Sequence, residues 1–90
     1  MAIRQPGAPS EAINSAVYSV LSRHLLVSLE HIQPHSRLVD DLYADSMDLL
    51  DMFMQISEVL DVDLNTDKLA QVRYVSELCE VAQEAVEQHR

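Results

Sequence analysis

Apolar residues recur at Ile13, Val17, Val20, Leu21 and Leu25, the spacing of one helix face, and predict a first helix of roughly four turns. Ser10 is its expected N-cap, with Glu11 in the favourable first turn. Ahead of it, residues 1–9 carry Pro6, Gly7 and Pro9 and read as a tail. From 26 to 44 no clean period holds and Pro34 intervenes. This reads as a long ordered loop anchored by Val27, Ile32, Leu38 and Leu42, and loops of that length are usually functional. A second helix is predicted over Ser46–Leu60 and a short third over Asp67–Val72, capped by Asn65 or Thr66. Val75, Leu78, Cys79, Ala82 and Val86 give the stripe of a last helix. The expected fold is all-α, one domain over residues 10–88, with three longer helices, one short third helix and a long loop after the first.

The second helix has two apolar stripes. At about 100° per residue, Leu49, Met52, Phe53, Ile56, Val59 and Leu60 gather on one side as a core face. Met47, Leu50, Asp51, Met54 and Glu58 gather on the opposite side. Methionine and leucine among carboxylates suit docking, with adaptable apolar contact and an electrostatic guide. A chain of this length can hardly bury one helix on both sides, which favours a partner over the chain itself.

Charge sharpens that picture. The net charge is −9. Asp40, Asp41, Asp45, Asp48, Asp51, Glu58, Asp61, Asp63 and Asp67 fall in a span with no Lys or Arg. Such a surface repels nucleic acid and anionic membranes and attracts basic protein patches. A single cysteine, Cys79, excludes an internal disulfide, and its place on the last apolar stripe predicts a buried thiol. With no leader pattern and no membrane-length apolar run, a cytoplasmic monomer is expected.

Candidate chemistry is sparse. "DVDLNTD" from Asp61 imitates the start of a calcium loop, but Thr66 stands where Gly is needed and Val72 where Glu is needed. His24, His31, His35 and His89 lack metal-ligand spacing and read as surface or loop residues, so no metal site is expected. Tyr18 and Tyr74 read as packing residues. Ser46 opens the second helix behind Asp45, which can cap it in a weak capping box with Asp48. A serine there lies at the positive end of the helix dipole, where phosphate is well tolerated. No histidine lies in the local motif, so activation of Ser46 by a hydrolase triad has no support.

"DDLYADSMDLLDMFMQISEVLDVDL" resembles the signature of acyl carrier proteins and related phosphopantetheine carrier domains, D-L-G-x-D-S-[LM] followed by an acidic-apolar helix. The likeness extends back through "IQPHSRL" (Ile32–Leu38) and on through "DLNTDKL" (Asp63–Leu69) and Val75. It implies that family's four-helix bundle and a carrier rather than an enzyme. Ser46 would hold a 4′-phosphopantetheine arm, attached from coenzyme A by a phosphopantetheinyl transferase, with Asp45 beside it. Met47, Asp48, Leu50, Asp51, Met54 and Glu58 would meet basic patches on acyl-loading, ketosynthase-type or acyltransferase enzymes of fatty-acid, polyketide or other specialised biosynthesis. Leu49, Ile56, Leu64, Leu69 and Val72 would line an acyl pocket, unless they are ordinary core. The alternative is an unmodified acidic interaction domain in which Ser46 is only a cap.

Three positions depart from the family pattern. Tyr43 and Leu26 stand where glycine is usual, and Asn65 where proline is frequent. Tyr43 implies either a turn of negative φ or a remodelled one. Its ring would pack beside the arm or widen the partner contact, and the three departures together suggest a specialised pathway rather than housekeeping fatty-acid synthesis.

Overall fold

The computed structural model describes residues 9–89, and the expected tail lies almost wholly outside them. Helix α1 spans Pro9–Leu25, α2 Ser46–Leu60 and α3 Val75–His89, with a short 3₁₀ helix over Thr66–Gln71 between α2 and α3. Among the described residues there are no strands, only an isolated bridge between Arg37 and Tyr74. The all-α, four-helix expectation holds. α1 packs on both α2 and α3, and the 3₁₀ helix lies against α2. Val17, Val20, Leu21, Leu38, Met52, Phe53, Ile56, Val75, Leu78 and Ala82 are fully buried at the centre. Cys79 joins them, and burial pushes its thiol up to about 11. Tyr18 packs against this core as expected, and burial raises its hydroxyl pKa too.

The boundaries need small corrections. α1 starts at Pro9, so Ser10 is already helical and not the cap. Proline suits a first helical turn, where its missing N–H is no loss. The third helix is 3₁₀ rather than α and ends at Gln71, leaving Val72 extended. Asn65 rather than Thr66 caps it, accepting the Asp67 N–H at 2.9 Å. Val59 was expected on the core face of α2 but is 53% exposed. It stands at the edge of that face in the last turn. Its neighbour Leu60 is only partly buried, so the core is already thinning there.

The long loop is ordered, as its apolar anchors suggested. A 3₁₀ turn, Leu29–His31, follows α1. An antiparallel bridge then ties the loop to the start of α3: Leu38 N–H donates to Arg73 O at 2.9 Å and Val75 N–H to Ser36 O at 3.0 Å. Ile32, Leu38 and Leu42 sink into the core, and Val27 packs against it. Tyr74, expected to pack, is 39% exposed, its backbone held by the bridge.

Tyr43 corrects a further expectation, because its φ is +62°. Residues 37–42 form a helical turn, with the N–H groups of Asp41 and Leu42 both reaching Arg37 O. A left-handed residue reverses the chain so that Ala44 N–H reaches Leu38 O at 2.9 Å. Leu42 and Ala44 are buried on either side, and Tyr43 is left 84% exposed. Leu26 does the same after α1 at φ +57°, letting Val27 N–H bond Ser22 O at 3.1 Å, and it is 90% exposed. Both positions favour glycine, since an L-side chain there costs about 1–2 kcal/mol. Leu26→Gly and Tyr43→Gly should therefore each raise the thermal midpoint, by roughly 4 °C once the greater freedom of unfolded glycine is offset. Calorimetry checks this, and a lower midpoint would mean that these side chains pack.

Candidate functional site

The start of α2 is built by two aspartates, not by the serine between them. Asp45 has extended backbone and accepts the Asp48 N–H at 2.8 Å, while Asp48 accepts the Asp45 N–H at 3.1 Å. This is the capping box that the spacing suggested. Leu49 N–H takes the Asp45 carbonyl at 3.0 Å. Of the four donors that open an α-helix, two are thus satisfied. Those of Ser46 and Met47 find no partner among the described residues. Ser46 is exposed, has no role in the cap, and sits where the dipole and two unused N–H groups favour an anion. Its hydroxyl therefore stands in solvent, not engaged by the cap.

Asp48 reaches further than a cap. Its Oδ1 meets His24 Nε2 at 3.0 Å, and Gln55 Nε2 meets His24 Nδ1 at 3.0 Å. If the Gln55 amide donates, Nδ1 is the acceptor and Nε2 carries the proton toward Asp48. The Asp45 N–H, and after it His24, hold the Asp48 carboxyl below the usual carboxylate range. The last turn of α1 is thereby pinned to the first turns of α2. His24, read from sequence as a surface or loop residue, is a half-buried link between helices. Nothing in the spacing of His24, Asp48 and Gln55 announces this, because the link exists only once the two helices pack. Asp48 is correspondingly half-buried, with both oxygens engaged, unlike its companions on the expected docking face.

Those companions do lie together in solvent. Met47 is 68% and Met54 57% exposed, Leu50 is exposed, and Asp51 and Glu58 stand among them. The opposite stripe of the same helix, Met52, Phe53 and Ile56, is buried. One helix therefore has a packed face and an apolar-acidic free face. Asp40 and Asp41 lie ahead of it, paired with Arg37 at 3.4 Å and 3.7 Å, and Asp41 also accepts the Arg37 N–H at 2.8 Å.

The five residues named for an acyl pocket divide. Leu49, Leu69 and Val72 line a cavity of about 470 Å³ together with Arg37, Val39, Asp40, Ala70, Arg73 and Tyr74. Ile56 and Leu64 lie in the core instead. Sequence reasoning missed Val39, Arg37 and Arg73, which the bridge between loop and α3 brings alongside Leu49.

The family model for a phosphopantetheine attachment site matches residues 15–82. The chain is 30% identical over 67 residues to an acyl carrier protein of Syntrophobacter fumaroxidans, covering 74% of this chain and 83% of that one. It is 32% identical over 71 residues to an acyl carrier protein of Thermotoga maritima, covering 79% and 88%. One from Desulforapulum autotrophicum is 30% identical over 70 residues, covering 77% and 91%.

Proposed function

Since the chain belongs to the acyl carrier protein family, and is a carrier with covalently attached 4′-phosphopantetheine rather than an enzyme, we propose that Ser46 is the residue that bears the arm. One observation supports this most: Ser46 is exposed at the positive end of α2, and its cap is closed without it. The arm's terminal thiol supplies the thioester chemistry. The chain supplies the seat, with the N–H groups of Ser46 and Met47 toward the phosphodiester and Asp45 holding the helix start. Incubating the apo protein with coenzyme A and a broad-specificity phosphopantetheinyl transferase should add one phosphopantetheine in mass, and no gain would reject the assignment.

Around that seat, Met47, Leu50, Asp51, Met54 and Glu58 form the face that meets partner enzymes. Asp48 contributes mainly by fixing the helix start. The partners are the transferase and then acyl-loading, ketosynthase-type or acyltransferase enzymes whose docking patches are basic. Charge reversal tests the face: Asp51→Lys should raise KM for the transferase about tenfold and flatten its salt dependence, with helicity unchanged. A loss of helicity by circular dichroism would assign Asp51 to the fold instead.

The protein works as a cytoplasmic monomer. No helix of the described residues is long and apolar enough to cross a membrane. Its pathway is a specialised one, fatty-acid, polyketide or another biosynthesis. The strained and exposed Tyr43, three residues before Ser46, supports a partner shaped to receive it. Leu49, Leu69 and Val72 are the residues offered to the acyl chain.

A further inference from the structure

The cavity beside the start of α2 brings two arginines together in an otherwise acidic chain. Its charged lining residues are Arg37, Arg73 and Asp40, so guanidinium outnumbers carboxylate there, whereas the chain carries −9. Arg37 is engaged by Asp40 at 3.4 Å and by Asp41 at 3.7 Å. Arg73 makes no ion pair among the described residues. Glu77 lies close without a direct ion pair: its Oε1 accepts the backbone N–H groups of Arg73 at 2.7 Å and Tyr74 at 3.1 Å, and these bonds, with the Arg73 charge after them, hold its carboxyl below the usual carboxylate range. Val39, Leu49, Leu69, Ala70 and Val72 supply an apolar wall, and about 470 Å³ is room for a small acyl group.

We propose that this cavity receives the carried acyl group and that Arg73 selects one whose far end bears a carboxylate. This rests on the carrier reading, with Ser46 as the attachment point. The methylene chain lies on the apolar wall, and the terminal carboxylate pairs with the guanidinium, whose planar fork matches it. A plain alkyl chain of equal length gives the exposed Arg73 no partner, so the selection rests on the added charge pair.

The arm's own phosphodiester is a second source of negative charge, and the experiment separates the two. A broad-specificity transferase loads the protein from coenzyme A, pentanoyl-coenzyme A and glutaryl-coenzyme A, and mass confirms each product. The glutaryl form should melt about 4 °C above the pentanoyl form. It alone should shift the amide resonance of Arg73 in a heteronuclear NMR spectrum, whereas both acyl forms shift those of Leu69 and Val72. Arg73→Gln should cancel the difference in melting. Equal midpoints for the two acyl forms would overturn the proposal, as would a difference that survives Arg73→Gln. A shift at Arg73 already present in the bare-thiol form would assign the guanidinium to the phosphodiester and overturn it as well. A chain that gains no mass from any donor would instead remove the carrier assignment at Ser46, before cargo is in question.

Discussion

Ser46→Ala is expected to abolish loading from coenzyme A completely while moving the thermal midpoint by no more than about 4 °C. The two halves of this result have separate causes. Loading requires the hydroxyl oxygen, and no neighbouring group can replace it. Stability does not require it, because Asp45 and Asp48 satisfy each other across the helix start at 2.8 Å and 3.1 Å. Alanine is also the better helix former at that position. Asp45→Ala should behave in the reverse sense. It removes the side chain that accepts the Asp48 N–H and costs about 1 kcal/mol, yet leaves a hydroxyl to be modified. Mass spectrometry and thermal melts on the two variants read both axes. If Ser46→Ala still gained mass, the attachment point would be elsewhere. If it lost as much stability as Asp45→Ala, the serine would belong to the cap.

That separation was only half legible in the sequence. The order Asp45-Ser46-Met47-Asp48 gave a capping box, and a helix start gave an anion site. Which oxygen caps and which is free depends on backbone geometry at Asp45. The two stripes of α2 were readable because a helix turns a fixed angle per residue, so Met52, Phe53 and Ile56 had to face away from Met47, Asp51 and Met54. Val59 escaped that logic, since the wheel gives direction but not where the neighbouring elements end. Tyr43 and Leu26 escaped for a different reason. Residue type biases φ but does not fix it, and here the reversals after residues 42 and 25 are imposed by buried Leu42 and Ala44 and by the end of α1. His24 with Asp48, and Arg37 with Arg73, are distant in sequence, and only packed helices and the loop bridge bring them together.

The largest effect on stability should come from the hidden stripe, at Phe53. It is the only phenylalanine, is 1% exposed, and sits midway along α2 between the fully buried Met52 and Ile56. Phe53→Ala removes a large apolar side chain and leaves a cavity that α1 and α2 close only partly, a loss of about 3–5 kcal/mol. A domain of this length has roughly 5–13 kcal/mol in total, so the variant stands near the edge of unfolding at ordinary temperature. In urea, with a slope of about 1 kcal/mol per molar, the midpoint should fall by about 3 M or more at unchanged slope. Phe53→Leu keeps most of the volume and should lose about 1.5 kcal/mol or less. On the other side of the same helix, Asp51→Lys should stay within about 0.5 kcal/mol of the parent. The contrast is diagnostic, because both substitutions touch one helix and only one touches the core. Loading of Phe53→Ala should fall in step with its folded fraction, since the seat of Ser46 exists only while α2 is packed. A loss under about 1.5 kcal/mol would mean that the inner face of α2 does not carry the core. The reading of its outer face as free for partners would fall with it.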